Sequence, residues 1–204
     1  MQIIQKERTQ NMSNLYTKHM ENITRKTVVI PVGGPAQNGK DTIGGKLEKC
    51  FTAAGKNVLV IHHADLLKYM AKSMFGWDGQ KDEKGRQLLQ YMGTDVVRKK
   101  RPDFWVEHIL SLLDLFDGDW DYVIIPDSRF PNEIDAYKEA GYKTTYIRIV
   151  RPNFVSPLTP EQLNHPSETA LNDYEPDILV VNDGTLEDLD IKAEEIVKIL
   201  TGGN

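Results

Sequence analysis

The chain has 204 residues, of which 40% are apolar and 27% charged, with a formal net charge of −5 and one cysteine. This balance is typical of a globular domain, and no apolar run reaches the roughly 18 residues that span a bilayer. A net acidic chain disfavours general nucleic-acid binding, and a lone cysteine excludes an intrachain disulfide or a cysteine-cluster zinc site.

Residues 1–25 are polar, rich in Asn and Thr, and only weakly periodic. We therefore expect an extension outside the core, with the folded domain at 26–204. The first ten residues lack the apolar stretch of a secretory signal, and together with the single cysteine this indicates a cytoplasmic protein.

Five short apolar runs alternate with amphipathic stretches along the rest of the chain. The runs lie at 27–32, 57–61, 122–125, 143–150 and 178–181, and the helix-like stretches at 40–54, 64–75, 86–99, 102–116, 132–140 and 186–200. This alternation predicts a three-layer α/β/α domain with a mainly parallel, five-stranded sheet. The mostly helical stretch of about 64–117 is expected to form an insert. Ligands of such folds bind beyond the carboxyl ends of the strands.

A glycine-rich turn follows the first predicted strand and precedes a predicted helix. Gly34, Gly39 and Lys40 fit the spacing G-x-x-x-x-G-K of a phosphate-binding loop. The loop N–H groups and the helix N-terminus would hold phosphate oxygens, and Lys40 would reach the β- and γ-phosphates. Asp41 stands where the general motif has Ser or Thr, so Asp41 through water, or Thr42, is the expected magnesium contact. The alternative is a glycine-rich turn that only caps a helix.

The third predicted strand ends in an acid, Asp127, and Arg129 follows two residues later. Phosphate-loop enzymes keep a magnesium-positioning acid at this place, and an arginine there can bind a phosphate through two N–H groups. The competing interpretation is a helix-capping turn with a surface arginine.

Further candidates lie near the other strand ends. Asp65 and Lys68 share one helix face, where Lys68 could bind an acceptor phosphate, although a plain helical ion pair explains the spacing too. The pair His62–His63 is interpreted as ordinary structure. Trp105 could stack on a base or pack in the core.

Two basic groups remain open in function. In the run 98–101 one or two side chains could bind phosphate, and we expect most of the run to be solvated. Arg148 and Arg151 follow the fourth strand, where either could stabilise charge on a transferring phosphate from a lid-like loop, hereafter the lid segment, 151–170. Within it, Ser167 is the expected helix N-cap.

Several motifs, taken together, resemble the phage-type deoxynucleoside monophosphate kinases, relatives of adenylate kinase among the phosphate-loop kinases. The matching stretches are GPAQNGKDT (34–42), ADLLK (64–68), RQLLQYMGTDVVR (86–98) with FWV (104–106), VIIPDSRFPNE (123–133), HPSETAL (165–171) and DILVVNDGTLEDL (177–189). The sequence GKDT is informative, because Asp41 departs from the general motif in the way this family does.

The resemblance implies a kinase with ATP as donor, Mg²⁺ as cofactor and a deoxynucleoside monophosphate as acceptor. It implies donor contacts from Gly34, Asn38, Gly39, Lys40, Asp41, Thr42, Asn182 and Gly184. It implies acceptor contacts from Asp65, Lys68, Arg86, Trp105, Asp127, Arg129 and Glu168. Lys40, Arg129 and Arg151 would be catalytic, and Asp41 and Asp127 would hold the metal.

The activity expected from the resemblance is ATP + dNMP → ADP + dNDP, with no membrane partner. Two alternatives stay open: another small-molecule kinase of this fold, such as phosphomevalonate kinase, and a nucleotide-binding protein without catalysis. The sequence leaves open a homodimer and the base accepted. If the chain is a phage protein, the compartment would be the host cytoplasm.

Overall fold

The structure is a computed structural model that describes residues 25–80 and 82–202. Its strands are β1 (Val28–Gly33), β2 (Val58–Val60), β3 (Tyr122–Ser128), β4 (Lys143–Thr144), β5 (Ile147–Val150) and β6 (Ile178–Val181). Its helices are α1 (Lys40–Ala53), α2 (Ala64–Phe75), α3 (Glu83–Gln90), α4 (Phe104–Leu115), α5 (Asn132–Glu139), α6 (Pro160–Leu163), α7 (Pro166–Thr169) and α8 (Leu186–Thr201). The predicted extension lies outside the described residues except for Arg25, which forms an ion pair with Asp114.

All strand pairings are parallel, and the sheet order is β2-β3-β1-β5-β6, with β4 also beside β1. The predicted fold class is therefore confirmed. The register between β1 and β3 shifts after Pro31, where β3 contains one more residue than β1. Proline has no N–H to donate to a sheet ladder, so such an irregularity is favoured where Pro31 and Pro126 interrupt both strands.

The sheet has six strands because the predicted strand 143–150 is divided into β4 and β5. The interruption lies at Tyr146, whose N–H donates to the carboxylate of Asp177 at 2.7 Å. The carbonyl of Tyr146 in turn accepts hydrogen bonds from the N–H groups of Asp177 and Ile178. Beyond this interruption, β5 pairs with both β1 and β6.

Alternating side chains of the strands pack into two cores, one on each face of the sheet. Ile30 and Ile124 face α1 and α8, while Val29 and Val123 face α4 and α5. A two-residue period with both faces apolar is what a fully buried parallel sheet requires. The three-layer arrangement leaves the carboxyl ends of the strands as the open edge.

The insert between β2 and β3 has its own small apolar cluster around Leu67, Met92 and Trp105. The predicted helix 86–99 begins earlier, at Glu83, because Asp82 accepts a hydrogen bond from Gly85 N–H and caps it. From Tyr91 to Arg98 the helix continues with π-helical turns, a rare form that occurs often at functional sites.

The lid segment contains two single-turn helices, α6 and α7. The predicted N-cap at Ser167 is wrong: His165 caps α7, and its Nδ1 accepts from Ser167 N–H at 3.2 Å. Pro166 then occupies the first helical position, where its missing N–H carries no penalty. None of the helices in the described part of the chain has the length and apolar character needed to cross a membrane.

Candidate active site

The phosphate loop joins β1 to α1 in a conformation that depends on glycine. Gly34 has φ 139°, and a Cβ there would lie 2.1 Å from the carbonyl oxygen of Ile149 on the neighbouring strand. Gly39 has φ 104° at the start of α1. Because other residues rarely adopt such angles, the glycines of the motif fix the course of the loop.

Lys40 is folded back under the loop. Its Nζ donates to the carbonyl oxygens of Gly34 and Pro35, each at 2.8 Å, and the residue is only 7% exposed. Burial, together with the nearby Arg129 guanidinium, lowers the pKa of Lys40 to about 7. The Lys40 amine is therefore buried next to the position expected for phosphate, and it can take up a proton near neutral pH.

Asn38 ties the loop to the ends of two other strands. Its Oδ1 accepts the N–H of Arg151, just after β5, at 2.6 Å, and its own carbonyl accepts from the side chain of Asn182, just after β6, at 3.0 Å. Gly184 lies in the exposed turn before α8. The buried Asn38 thus joins the phosphate loop to Asn182, one of the residues assigned to the donor from the sequence, and to Arg151.

A chain of charged side chains runs from α1 to α2. His62 Nε2 lies 3.0 Å from Asp41 Oδ1, and His62 N–H donates to Asp65 Oδ2 at 3.0 Å. Lys68 Nζ donates to the other oxygen of Asp65, also at 3.0 Å. The contact with Asp41 raises the pKa of His62. The sequence missed this role of His62 because a strand-end histidine has many ordinary explanations.

Asp127 is bound at the N-terminus of α2. Its two oxygens accept the backbone N–H groups of His63 and Ala64 at 2.9 and 3.0 Å. Burial alone would raise the pKa of Asp127, but the His63 imidazole, whose Nδ1 lies 3.3 Å from Asp127 Oδ1, and the backbone N–H of Ala64 hold it well below its usual range. Asp127 is therefore an ionised carboxylate that fixes where α2 begins.

Arg129 is held from two sides. Its Nη1 donates to the carbonyl of Ser167 at 3.2 Å and to the carboxylate of Glu168. Its backbone N–H donates to Glu133 Oε2 at 2.6 Å. The same Glu168 carboxylate accepts the N–H of Ala36 in the phosphate loop at 2.8 Å, so α7 is bound to both the loop and Arg129.

The insert is anchored beside this site by Arg98. The Arg98 guanidinium pairs with Glu133, whose side chain is 2% exposed, and lies over the Phe130 ring at 3.9 Å. Arg98, the first residue of the basic run 98–101, thus forms a buried ion pair. Sequence reasoning did not find Glu133 as its partner because the two residues are 35 positions apart.

A cleft of about 540 Å³ lies between the strand ends, the insert and the lid segment. It brings together ten of the predicted residues: Gly39, Lys40, Asp41, Thr42, Lys68, Arg86, Trp105, Asp127, Arg129 and Glu168. The other predicted residues do not line it: Gly34, Asn38, Asp65, Arg151, Asn182 and Gly184.

Neither Arg148, which lies within β5, nor Arg151, which follows it, lines the cleft. Arg151 is exposed and lies 4.9 Å from the centre of the Phe154 ring. Arg148 donates to the carbonyls of Leu171 and Asn172, so its guanidinium is used to hold the chain after α7.

Oxygen ligands for a magnesium ion are present in the cleft. The carboxylates of Asp41 and Asp127 and the hydroxyl of Thr42 all line it. Within residues 25–80 and 82–202, no group of three His, Cys, Asp or Glu side chains is placed to hold a metal by itself. Mg²⁺ is usually bound by one or two carboxylates together with water and substrate phosphates, so this set fits a phosphate-bound ion.

Comparisons with known proteins identify the family of the chain. A family model described as deoxynucleotide monophosphate kinase matches residues 46–193. The deoxynucleotide monophosphate kinase of Enterobacteria phage T4 is 37% identical over 117 residues, covering 56% of this chain and 46% of that protein. The one of Escherichia phage RB69 is 33% identical over 115 residues, covering 55% and 44%. The chain is therefore aligned to less than half of each relative's length.

Among solved structures, the APS kinase of Mycobacterium tuberculosis in complex with AMPPNP and APS superposes with a TM-score of 0.49 at 14% identity. The superposition covers 88% of this chain and 99% of that one.

Proposed function

Because the chain belongs to the deoxynucleotide monophosphate kinase family, we propose that it transfers the γ-phosphoryl group of ATP to a deoxynucleoside monophosphate, releasing ADP and dNDP. One observation carries the proposal: a single cleft contains the phosphate loop and cations from three other parts of the chain. Lys68, Arg86 and Arg129 line it together with Lys40. Separate cations opposite a phosphate loop suit two phosphate-bearing ligands, which transfer requires and simple binding does not.

The donor triphosphate would lie along the phosphate loop. The loop N–H groups and the N-terminus of α1 would bind its oxygens, and Lys40 would exchange its two carbonyl partners for phosphate oxygens. We assign Asn182 and Gly184 to the side of the adenine, because Asn182 is hydrogen-bonded to the loop through Asn38.

The acceptor phosphate would be bound by Arg129, Arg86 and Lys68. Such a phosphate has a second pKa of about 6, so it is largely ionised at neutral pH and needs no general base. Glu168 holds one edge of Arg129 and would orient the guanidinium. Alignment and charge neutralisation would then account for most of the rate.

Asp41, Asp127 and Thr42 would hold Mg²⁺, which supplies neutralisation of phosphate charge when it is bound. Between the two arginines after the fourth predicted strand, we assign Arg151 to cover the transferring group. Arg148 is bound to Leu171 and Asn172 carbonyls, whereas the exposed Arg151 contacts the Phe154 ring within the lid segment and would move with that segment. Closure of such a segment also excludes water, which would otherwise hydrolyse ATP.

The direct test is ADP release measured with ATP, Mg²⁺ and each common NMP and dNMP in turn, with phosphomevalonate as a non-nucleotide acceptor. We expect turnover with one or more dNMPs. Lys40→Met should lower kcat about 100-fold or more, because it removes a cation from the transferring phosphate. Lys49→Met is the matched control, since Lys49 is exposed on the same helix.

Two results would contradict the proposal. Turnover of phosphomevalonate with none of the nucleotides would indicate another kinase of this fold. ATP binding without product for every acceptor, abolished by Lys40→Met, would indicate a nucleotide-binding protein without catalysis.

A further inference from the structure

The insert forms one end of the cleft, and that end is largely apolar. Leu67, Leu89 and Trp105 line it and belong to the apolar cluster of the insert. Trp105 is 3% exposed and already donates its indole N–H to the carbonyl of Gly93 at 3.0 Å. It therefore offers an apolar wall and no free polar atom. Walls of this kind suit the faces of a flat aromatic ring.

A row of polar side chains crosses this apolar end. Arg86, Gln90, Thr94 and Arg98 are spaced four residues apart along α3 and the π-helical turns, and all four line the cleft. Residues four apart on a helix lie on the same face. The neutral residues Gln90 and Thr94 therefore lie between two cations, Arg86 and Arg98. Of these two, Arg98 forms an ion pair with Glu133.

The side chains of Gln90 and Thr94 are both half-buried. We find no hydrogen bond from the Gln90 amide or the Thr94 hydroxyl to any other residue that the structure describes. A polar group that loses water without gaining a hydrogen-bond partner costs free energy. Half-buried amide and hydroxyl groups on an apolar wall are therefore well placed to form hydrogen bonds with a bound ligand. An amide and a hydroxyl can each donate and accept a hydrogen bond.

We infer that Gln90 and Thr94 bind the hydrogen-bonding edge of the acceptor base and determine which bases are accepted. The inference rests on the proposed function and extends it to specificity. The faces of the base would contact Leu67, Leu89 and Trp105, and its phosphate would point toward Arg86 and Arg129. A neutral amide can turn over to match either order of donor and acceptor, whereas a carboxylate can only accept.

The experiment measures kcat/KM for dTMP, dGMP, dCMP and dAMP in the wild-type chain and four variants. Gln90→Leu and Thr94→Val remove hydrogen bonds to the base. Gln90→Glu replaces an amide by an acceptor, which favours the two adjacent N–H donors of guanine over the single one of thymine. Gln87→Leu is the matched control, because Gln87 is exposed on the same helix.

We expect Gln90→Leu to change the ratio of kcat/KM between the best and the worst dNMP about tenfold, with the KM for ATP unchanged. Gln90→Glu should shift the dGMP/dTMP ratio about tenfold toward dGMP, and Gln87→Leu should leave all ratios as in the wild type. If Gln90→Leu folds poorly, the conservative Gln90→Glu still decides the question.

An active wild type whose base ratios are the same in all the Gln90 and Thr94 variants would overturn this inference alone. Equal loss with all four dNMPs would do so too, since it would indicate a general positioning role. A wild type that phosphorylates none of the four would overturn the proposed function as well.

Discussion

The backbone N–H of Ala36, in the phosphate loop, donates to the carboxylate of Glu168 at 2.8 Å. The same carboxylate pairs with Arg129, and its side chain is only 8% exposed. One acid of the lid segment therefore contacts the part of the site assigned to the donor and the arginine assigned to the acceptor. Its negative charge, rather than its shape alone, holds α7 against the cleft.

Neutralising this acid should loosen the lid segment. Glu168→Gln keeps an oxygen for Ala36 but removes the charge opposite Arg129, and hydrogen bonds to charged groups contribute about 1.5–3 kcal/mol. We expect amide hydrogen exchange in 151–170 to become about tenfold faster and kcat to fall about tenfold. Glu161→Gln, an exposed acid in the same segment, should change neither. Wild-type exchange and kcat in Glu168→Gln would show that this contact is dispensable.

The lowered pKa of Lys40, about 7, predicts proton uptake when ATP binds. Burial disfavours the charged amine, and the phosphates of ATP favour it, so binding raises its pKa. At pH 8 we expect uptake to approach one proton per ATP relative to Lys40→Met, and at pH 6 almost none, because the amine is already charged. Calorimetry in two buffers of different ionisation enthalpy measures this difference. Equal proton uptake in wild type and Lys40→Met at pH 8 would refute it.

The same shift has a consequence for stability without ligand. The folded pKa lies below the ordinary value of 10.5, so the unfolded chain binds more protons between about pH 7 and 10.5. Lys40 therefore destabilises the fold most at pH below 7, and progressively less as the pH rises toward 10.5. The gain in stability of Lys40→Met over wild type should shrink across this interval, as measured by urea unfolding.

The buried pair of Arg98 and Glu133 predicts a large loss of stability when one partner is removed. Their side chains are 13% and 2% exposed, against 63% and 51% for the pair of Arg101 and Glu107. Arg98→Met leaves an uncompensated buried carboxylate and should lower the free energy of unfolding by about 3 kcal/mol. Arg101→Met should lower it by less than about 1 kcal/mol. Urea unfolding of both variants compares them directly.

A double variant separates the ion pair from the loss of the arginine stem. Arg98→Met combined with Glu133→Gln removes the stranded charge, so part of the stability lost in Arg98→Met should return. If the double variant is less stable than Arg98→Met alone, the contacts of Glu133 with the backbone of Arg129 and Phe130 outweigh its pairing with Arg98.

The parts of the molecule that the sequence could predict are those with a local pattern. The apolar runs located the strands, since a buried parallel strand is apolar on both faces, and the spacing of Gly34, Gly39 and Lys40 located the phosphate loop. Asp127 and Arg129 were found because side chains at the carboxyl ends of parallel strands share one edge. The strand count differed because a carboxylate far along the chain, Asp177, interrupts the ladder at Tyr146.

The contacts that complete the site could not be predicted in this way. Ala36 and Glu168 are 132 positions apart, and Asn38 and Arg151 are 113 apart. Hydrophobic periodicity contains no information about which distant residues meet. The change from α- to π-helical turns at Tyr91 also left no mark in the apolar pattern.

Asp127 supplies the last prediction, because its carboxylate replaces the missing N-cap of α2. Asp127→Asn turns an amide N–H₂ toward a backbone N–H of His63 or Ala64 and leaves one donor unpaired. A buried donor without a partner costs about 1–3 kcal/mol, so we expect a loss of this size at pH 7. Asp95→Asn, on an exposed position of the insert, should be neutral.

The pH dependence identifies the charge of Asp127 as the cause. Burial opposes ionisation, but the His63 imidazole and the backbone N–H of Ala64 hold the pKa of Asp127 below its ordinary value near 3.8. Its stabilising contribution is therefore complete above the pKa of the unfolded chain and is lost as the pH falls below it. The difference between wild type and Asp127→Asn in urea unfolding should narrow as the pH falls below about pH 4. A difference that persists unchanged at pH 3 would mean that packing, and not the charged cap, stabilises the start of α2.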